Sequence, residues 1–337
     1  MRIGIVNDLN IAVQAIRRAL SLRPQYQIAW VAPDGARAIA MCARDLPDLV
    51  LMDLVMPGMD GVQATRTIME NTPCPIVIVT SSVGDRTAAV FDAIGHGAID
   101  AIDAPVTGAV DSETSTALFL RKIDAVAKLI GTRRFVPAGG SFTDTWVIRK
   151  KQRLIAIGAS AGGPMALHAV LSALPKTFPA AIVIVQHVSE QFSRGMADWL
   201  AGICDLPVRI AQAGDRPTAG TVLLAGTNDH LVFKSATELG YSLEPRANSY
   251  RPSVDVFFES LSDVWPGDAV GVLLTGMGRD GAHGLKAMRN KGHYTIAQDE
   301  ATSAVYGMPK AAAAIGAAVD IMPLGRIAQR LIEVTSF

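Results

Sequence analysis

Short apolar, β-branched runs alternate with longer amphipathic stretches almost from the first residue, and this alternation constrains the fold more than any other feature of the chain. The runs 2–6, 27–32, 48–52, 75–79 and 98–102 have the length and composition of strands. Between and after them, 10–21, 35–45, 60–70, 85–95 and 115–130 carry apolar residues at helical spacing. Successive parallel strands need a crossover connection, usually a helix. The repeated βα rhythm therefore predicts a parallel sheet covered on both faces.

The rhythm breaks at Gly131. From there to residue 152 the chain contains Pro137, Gly139, Gly140 and several hydroxyl residues, with no sustained period. Between 131 and 153, six basic residues (Arg133, Arg134, Arg149, Lys150, Lys151 and Arg153) face Asp144 alone, a net charge of +5. Such a stretch between two regular segments reads as a basic linker. Solvated hinge charge accounts for it more simply than docking onto an acidic partner.

A second alternating series begins at Arg153. Strands are expected near 154–158, 181–186, 207–211, 221–225, 230–233, 241–244, 269–274 and 294–297. Helices fit at 163–174, 192–203, 254–264, 281–291 and 308–316, with hairpin character around 220–245. The expected organisation is thus an α/β domain over 1–130, a linker over 131–152 and a doubly wound, mostly parallel α/β domain over 153–337.

Composition excludes several classes. The 31 basic and 31 acidic side chains balance, which removes any global argument for nucleic acid or an anionic membrane as the main partner. Half the residues are hydrophobic, so the chain is not disordered. No apolar run approaches the roughly 18 residues of a membrane span, and the opening turns polar too early for a signal peptide. Cys42, Cys74 and Cys204 lie far apart without a C-x-x-C pair, which fits a reducing compartment. A soluble cytoplasmic protein without membrane insertion is expected.

Ligands in open α/β sheets sit outside the carboxyl ends of the strands. In the first segment those ends carry Asn7-Asp8, Asp53, Thr80 and Asp103-Ala104-Pro105. Two acids from different strands at one edge can hold a hard cation such as Mg²⁺ through oxygen ligands, whereas any one acid alone is as well explained as a helix cap. Val6-Asn7-Asp8, Thr80 and the run Asp53-Leu54-Val55-Met56-Pro57-Gly58-Met59-Asp60-Gly61 resemble the receiver domain of two-component response regulators. The resemblance implies a flavodoxin-like five-stranded parallel sheet of order 2-1-3-4-5. It further implies Asp53 as phosphoryl acceptor, Asp8 and Asp53 as Mg²⁺ ligands, and Thr80 as the hydroxyl that senses the phosphoryl group. Two positions depart from the family pattern: Asn7 replaces one acid, and Ala104 stands where a lysine usually precedes the proline. The two departures cancel in formal charge but not in geometry.

In the second segment, Leu154–Gly158 runs into a Gly-rich turn, and Gly158-Ala159-Ser160-Ala161-Gly162 satisfies G-x-S-x-G. In a strand–turn–helix context this motif exposes a serine hydroxyl. A Gly-rich turn before a helix also cradles phosphate, and on the motif alone the two readings are equally consistent. A nucleophilic serine needs a histidine and usually a carboxylate from other strand ends. His187 and Asp280 have that placement, as do Asp229 and His230, while His168 lies in an expected helix. His283 and His293 have no comparable strand-end position.

Further motifs rank these candidates. Gln186-His187, Arg251-Pro252-Ser253-Val254-Asp255, Leu274-Thr275-Gly276-Met277-Gly278-Arg279-Asp280-Gly281-Ala282, Ala297-Gln298-Asp299-Glu300 and Tyr306-Gly307-Met308-Pro309-Lys310-Ala311, together with the serine turn, resemble the catalytic domain of the chemotaxis protein-glutamate methylesterases, the CheB family. The N-terminal residues and the absent lysine look closer to the WspF-type surface-sensing branch. The resemblance implies Ser160 as nucleophile, His187 as base and then acid, and Asp280 as the group orienting His187. Backbone N–H groups of Met277 and Ala161 would meet the oxyanion. Many family members carry threonine directly after the nucleophile, where this chain has Ala161.

The implied substrate is a γ-glutamyl methyl ester on the cytoplasmic helices of a methyl-accepting chemoreceptor, with glutamine deamidation as a companion reaction. The implied kinase is a histidine kinase of the chemotaxis type. Mg²⁺ belongs to the receiver, and the esterase needs no metal. The competing classes are a serine esterase acting on another substrate and a non-catalytic receiver-linked phosphate sink. Against a nucleotide-binding regulator, no P-loop lysine follows Gly162-Gly163.

Overall fold

Five parallel strands form the first sheet: β1 (Arg2–Val6), β2 (Gln27–Ala32), β3 (Leu49–Met52), β4 (Ile76–Thr80) and β5 (Asp100–Asp103), in the order β2-β1-β3-β4-β5. A computed structural model describes residues 1–80, 87–105, 112–130, 153–248 and 250–335. The chain divides into two units, Met1–Arg134 and Phe135–Phe337. The linker expected over 131–152 lies outside the described residues.

In the first unit, α1 (Asn10–Ser21), α2 (Gly35–Arg44), α3 (Gly61–Asn71), α4 (Thr87–Gly95) and α5 (Ser112–Ile130) connect or follow the strands. The central strands β3 and β4 are buried at every position, as a sheet covered on both faces requires. Ile3, Ile5, Leu49, Leu51, Val77 and Val79 pack against Ile16 and Leu20 of α1 and Phe119 and Ile123 of α5. Asp34 and Asp60 cap α2 and α3 by accepting the backbone N–H groups of Arg37 and Gln63. The chain leaves β1 toward β2 on one side and returns to β3 on the other. The carboxyl ends of β1 and β3 therefore flank the switch point of the sheet.

The second unit is built on seven parallel strands: β6 (Arg153–Ala159), β7 (Ala181–Gln186), β8 (Val208–Ile210), β9 (Val222–Leu224), β12 (Asp268–Leu273), β13 (Tyr294–Gln298) and β14 (Asp320–Met322). Their order is β14-β13-β12-β6-β7-β9-β8, and β10 (His230–Phe233) pairs antiparallel with β11 (Leu239–Ser242). The helices are α6 (Gly163–Leu171), α7 (Glu190–Ile203), α8 (Val254–Val264), α9 (Ala282–Asn290), α10 (Met308–Ala314) and α11 (Leu324–Thr335). The largely apolar runs β6 and β7 lie side by side at the centre and are almost wholly buried. The chain winds outward from β6 through β7, then returns to β12 on the opposite side, so a second switch point lies between β6 and β12.

Two local differences from the sequence reading stand out. The hairpin expected across 220–245 is confined to β10 and β11, because β9 is fully buried and joins the parallel sheet between β7 and β8. The edge strand β14 and helix α11 were not anticipated. β14 has only three residues and is only partly buried, which leaves little apolar signal. Helix α11 does bury a stripe of Ile327, Ala328, Leu331 and Thr335. Among the described residues, no helix is long and apolar enough to cross a membrane.

Candidate active site

Ser160 is the first residue beyond β6, and His187 the first beyond β7. The two strands are paired in register up to Ala159 and Gln186, and the His187 N–H donates to the Ala159 carbonyl at 3.0 Å. Sheet pairing alone therefore brings the serine and the histidine to one edge. After β12, the Ser160 N–H donates to the Thr275 carbonyl at 3.0 Å, which ties the loop running to Asp280 against the serine turn. A Cβ at Gly276 would lie 2.8 Å from the Ser160 Cβ and 2.2 Å from Met308 Sδ, so only glycine allows this approach.

Asp280 is 5% exposed, yet both of its oxygens are fully engaged. Oδ2 accepts from His187 Nε2 and the Val254 N–H, each at 2.7 Å. Oδ1 accepts from Ser253 Oγ at 2.7 Å and the Asp255 N–H at 3.2 Å. Ser253 caps α8, so the carboxylate sits on the positive end of that helix. Burial pushes the Asp280 carboxyl up, but the hydrogen bond and charge interaction with His187, reinforced by Ser253 and the Val254 N–H, hold it below the ordinary carboxylate range.

An ionised Asp280 can only accept, so the neutral imidazole carries its proton on Nε2 and keeps a lone pair on Nδ1. That Nδ1 is buried and has no hydrogen-bond partner among the described residues. It is the ring nitrogen that keeps a free lone pair. Ser160 Oγ makes no hydrogen bond to it in this structure, a looseness common before substrate binds. The N–H groups of Ala161 and Met277 likewise donate to no acceptor among the described residues, as free oxyanion donors would. Gly162, with φ 74°, turns the chain from Ala161 into α6.

Sequence reasoning missed how Asp280 is held. Ser253 bonds Asp280 through its hydroxyl, and its N–H donates to Nδ1 of the fully buried His230 at 3.1 Å. His230, a rival site residue by position, thus stands behind the Ser253–Asp280–His187 chain rather than in it. The signal available was the Ser253-Val254-Asp255 run, which has the form of a capped helix start. Thr275 was also missed as a hub: its hydroxyl bonds the Ala161 carbonyl at 3.0 Å and accepts the Val305 N–H at 2.8 Å. His168 packs its ring at a tilt against Trp199 in the helical layer.

In the first unit, Asp53 is 8% exposed at the end of β3. Its Oδ1 accepts the Leu54 N–H at 2.7 Å, and its Oδ2 accepts Asn7 Nδ2 at 2.9 Å. Thr80 is 1% exposed, and its hydroxyl has no partner among the described residues. Ala104 follows β5, and its N–H donates to the Thr80 carbonyl at 2.9 Å. Asp8 is exposed at the same sheet edge. Among the described residues no group of three or more His, Cys, Asp or Glu could hold a metal ion. The Asp8 and Asp53 carboxylates still fit Mg²⁺, which takes one or two carboxylates and fills its shell with water and phosphate oxygens.

Fold and strand-end residues together describe a receiver-like unit followed by a parallel α/β unit with a Ser, His and Asp gathered at its strand ends. The CheB methylesterase family model matches residues 155–331, and the response regulator receiver domain model matches residues 3–109. A Burkholderia thailandensis relative, named protein-glutamate methylesterase/protein-glutamine glutaminase 4, is 58% identical over 99% of this chain and 97% of its own. A Pseudomonas aeruginosa relative with the same designation, numbered 3, is 56% identical over 99% of both chains. The crystal structure of the Thermotoga maritima CheB methylesterase catalytic domain aligns with a TM-score of 0.53 at 33% identity, over 55% of this chain and 99% of that one. The chain belongs to the CheB family of receiver-linked methylesterases.

Proposed function

We propose that this chain is a phosphorylation-regulated serine hydrolase. It demethylates glutamate γ-methyl esters on the cytoplasmic helices of chemoreceptors and deamidates receptor glutamines. The observation that carries the proposal is the part-buried His187–Asp280 pair, with Nδ1 left unpaired beside the Ser160 turn. The names of the relatives supply the substrate class.

In the proposed reaction His187 Nδ1 takes the Ser160 proton as Oγ attacks the ester carbonyl. The imidazolium that results is stabilised by Asp280, whose depressed pKa keeps it charged. The tetrahedral oxyanion meets the N–H groups of Ala161 and Met277. Collapse breaks the C–O bond, and His187 returns its proton to the leaving methoxide, releasing methanol. Water, deprotonated by the same nitrogen, then hydrolyses the acyl-enzyme and restores Ser160. With a glutamine substrate the leaving group is ammonia and every other step is unchanged. Either product adds a carboxylate to the receptor surface, a switch by local electrostatics.

The receiver reading assigns Asp53 as the phosphoryl acceptor from a chemotaxis-type histidine kinase. Asp8 and Asp53 would hold Mg²⁺, which supplies charge neutralisation during phosphoryl transfer. The reading of Thr80 as the hydroxyl that answers a phosphoryl group on Asp53 is supported by its buried hydroxyl, which has no partner among the described residues. Phosphorylation of the receiver is proposed to shift the esterase toward its active state, in the cytoplasm, for chemotaxis or surface-sensing adaptation. Hydrolysis of methylated receptor that disappears in Ser160→Ala supports this function. Hydrolysis of small esters alone, with methylated receptor untouched, rejects the substrate.

A further inference from the structure

Tyr250 stacks face to face on the His187 imidazole, with ring centroids 4.5 Å apart and 5° between the planes. Neither the triad nor the oxyanion groups include it. Its hydroxyl end reaches over the loop that follows β12: a Cβ placed on Gly278 would lie 2.7 Å from the Tyr250 oxygen. Gly278 directly follows Met277 and has φ 83°, so the backbone there already requires glycine. One side chain therefore touches the ring of the base and the loop that presents an oxyanion donor.

The His187 side chain needs this support. Its one side-chain hydrogen bond among the described residues, from Nε2 to Asp280, fixes an edge of the imidazole but leaves the ring free to rock about that contact, because the final torsion of a histidine is broad. A parallel ring on one face removes the rocking and holds Nδ1 in a single plane. The same contact changes character during the reaction. The imidazole becomes an imidazolium when it takes the serine proton, and a cation over the face of a tyrosine is attracted by its π-electrons. The stack is therefore stronger in the transition state than in the resting enzyme, the condition for lowering a barrier.

We infer that Tyr250 is a positioning residue of the esterase, setting the plane of His187 and stabilising its protonated form through its aromatic face rather than its hydroxyl. The inference rests on the assignment of Ser160, His187 and Asp280 as the reacting set. The test uses the full-length protein with a small-molecule phosphodonor, following methanol release from methylated receptor. Tyr250→Phe keeps the ring; Tyr250→Leu and Tyr250→Met each remove it while filling its volume, so a folding failure in one leaves the other. The expected result is a kcat about tenfold or more lower in Leu and Met with KM within about twofold, and a Phe variant within about threefold of the parent, as loss of a partly desolvated cation–π contact requires. Parental kcat in Leu or Met, or a Phe variant as slow as both, overturns the inference while Ser160→Ala remains inactive. Hydrolysis that survives Ser160→Ala overturns the reacting set itself, and Tyr250's role with it.

Discussion

The Asn7 side-chain amide donates to Asp53 Oδ2 at 2.9 Å across the carboxyl ends of β1 and β3, while its own oxygen accepts the Leu9 N–H at 2.8 Å. Where the receiver pattern has an acid, this chain has a neutral donor that satisfies the buried carboxylate directly. An aspartate at position 7 could not donate. It would repel Asp53 and relieve that repulsion by binding a cation. Asn7→Asp should therefore shift the Mg²⁺ midpoint for labelling of Asp53 by a small phosphodonor to lower concentration. An unchanged midpoint would show that residue 7 does not sense the cation, and labelling that persists in Asp53→Asn would remove Asp53 as acceptor.

Asp280 predicts a pH dependence of stability. Its folded pKa is depressed, because interactions with His187 and α8 outweigh its burial. Its stabilising contribution is therefore complete above the unfolded value of about 3.9 and is lost as pH falls through the lower folded value. Thermal unfolding of the wild type and of Asp280→Asn, compared from neutral pH downward, should show the wild-type advantage shrinking below about pH 4. Parallel curves over that range would contradict the account.

Ser253→Ala removes two interactions at once, the α8 cap and a donor to Asp280. Loss of the cap alone costs about 1–2 kcal/mol, measurable by denaturant unfolding. The kinetic consequence is separate: with a looser Asp280, kcat falls while KM holds. A variant that loses stability yet keeps full kcat would show that the Ser253 hydroxyl does not help orient the pair.

Gly276→Ala tests the close approach of the loop after β12 to Ser160. The added methyl meets Met308 Sδ at 2.2 Å and the Ser160 Cβ at 2.8 Å, so one of them must move. A displacement near 1 Å in a catalytic group lowers the rate by roughly a hundredfold. Phosphonylation of Ser160 by a fluorophosphonate probe, with loss of fluoride, should slow accordingly, and a rate equal to wild type would place the strain elsewhere.

Much of this architecture was legible in the sequence for a specific reason. Strands β3, β4, β6 and β7 are buried on both faces, so they stand out as unbroken apolar runs, and in parallel sheets the reactive residues sit immediately after such runs. Ser160, His187, Asp53 and Thr80 were singled out as candidates on that placement. The edge strand β14 lacked the signal because it is short and half exposed. Tyr250 and Ser253 were invisible as site neighbours because tertiary packing, not local pattern, carries them onto His187 and Asp280, while His230, a candidate by strand-end position, stands behind Ser253. Asn7 read only as a missing acid, and its role as a donor to Asp53 emerged from geometry alone.

The central claim is that one chain couples a phosphoryl-accepting receiver to a Ser160 esterase acting on receptor methyl esters. It is tested most directly by measuring methanol release from methylated chemoreceptor by the full-length protein, with and without phosphodonor, beside a 150–337 fragment. The account predicts slow release by the unphosphorylated full-length protein, faster release with phosphodonor, fast release by the fragment regardless of phosphodonor, and none from Ser160→Ala. Equal rates for fragment and unphosphorylated full-length protein would contradict control by the receiver, and release by Ser160→Ala would contradict the site.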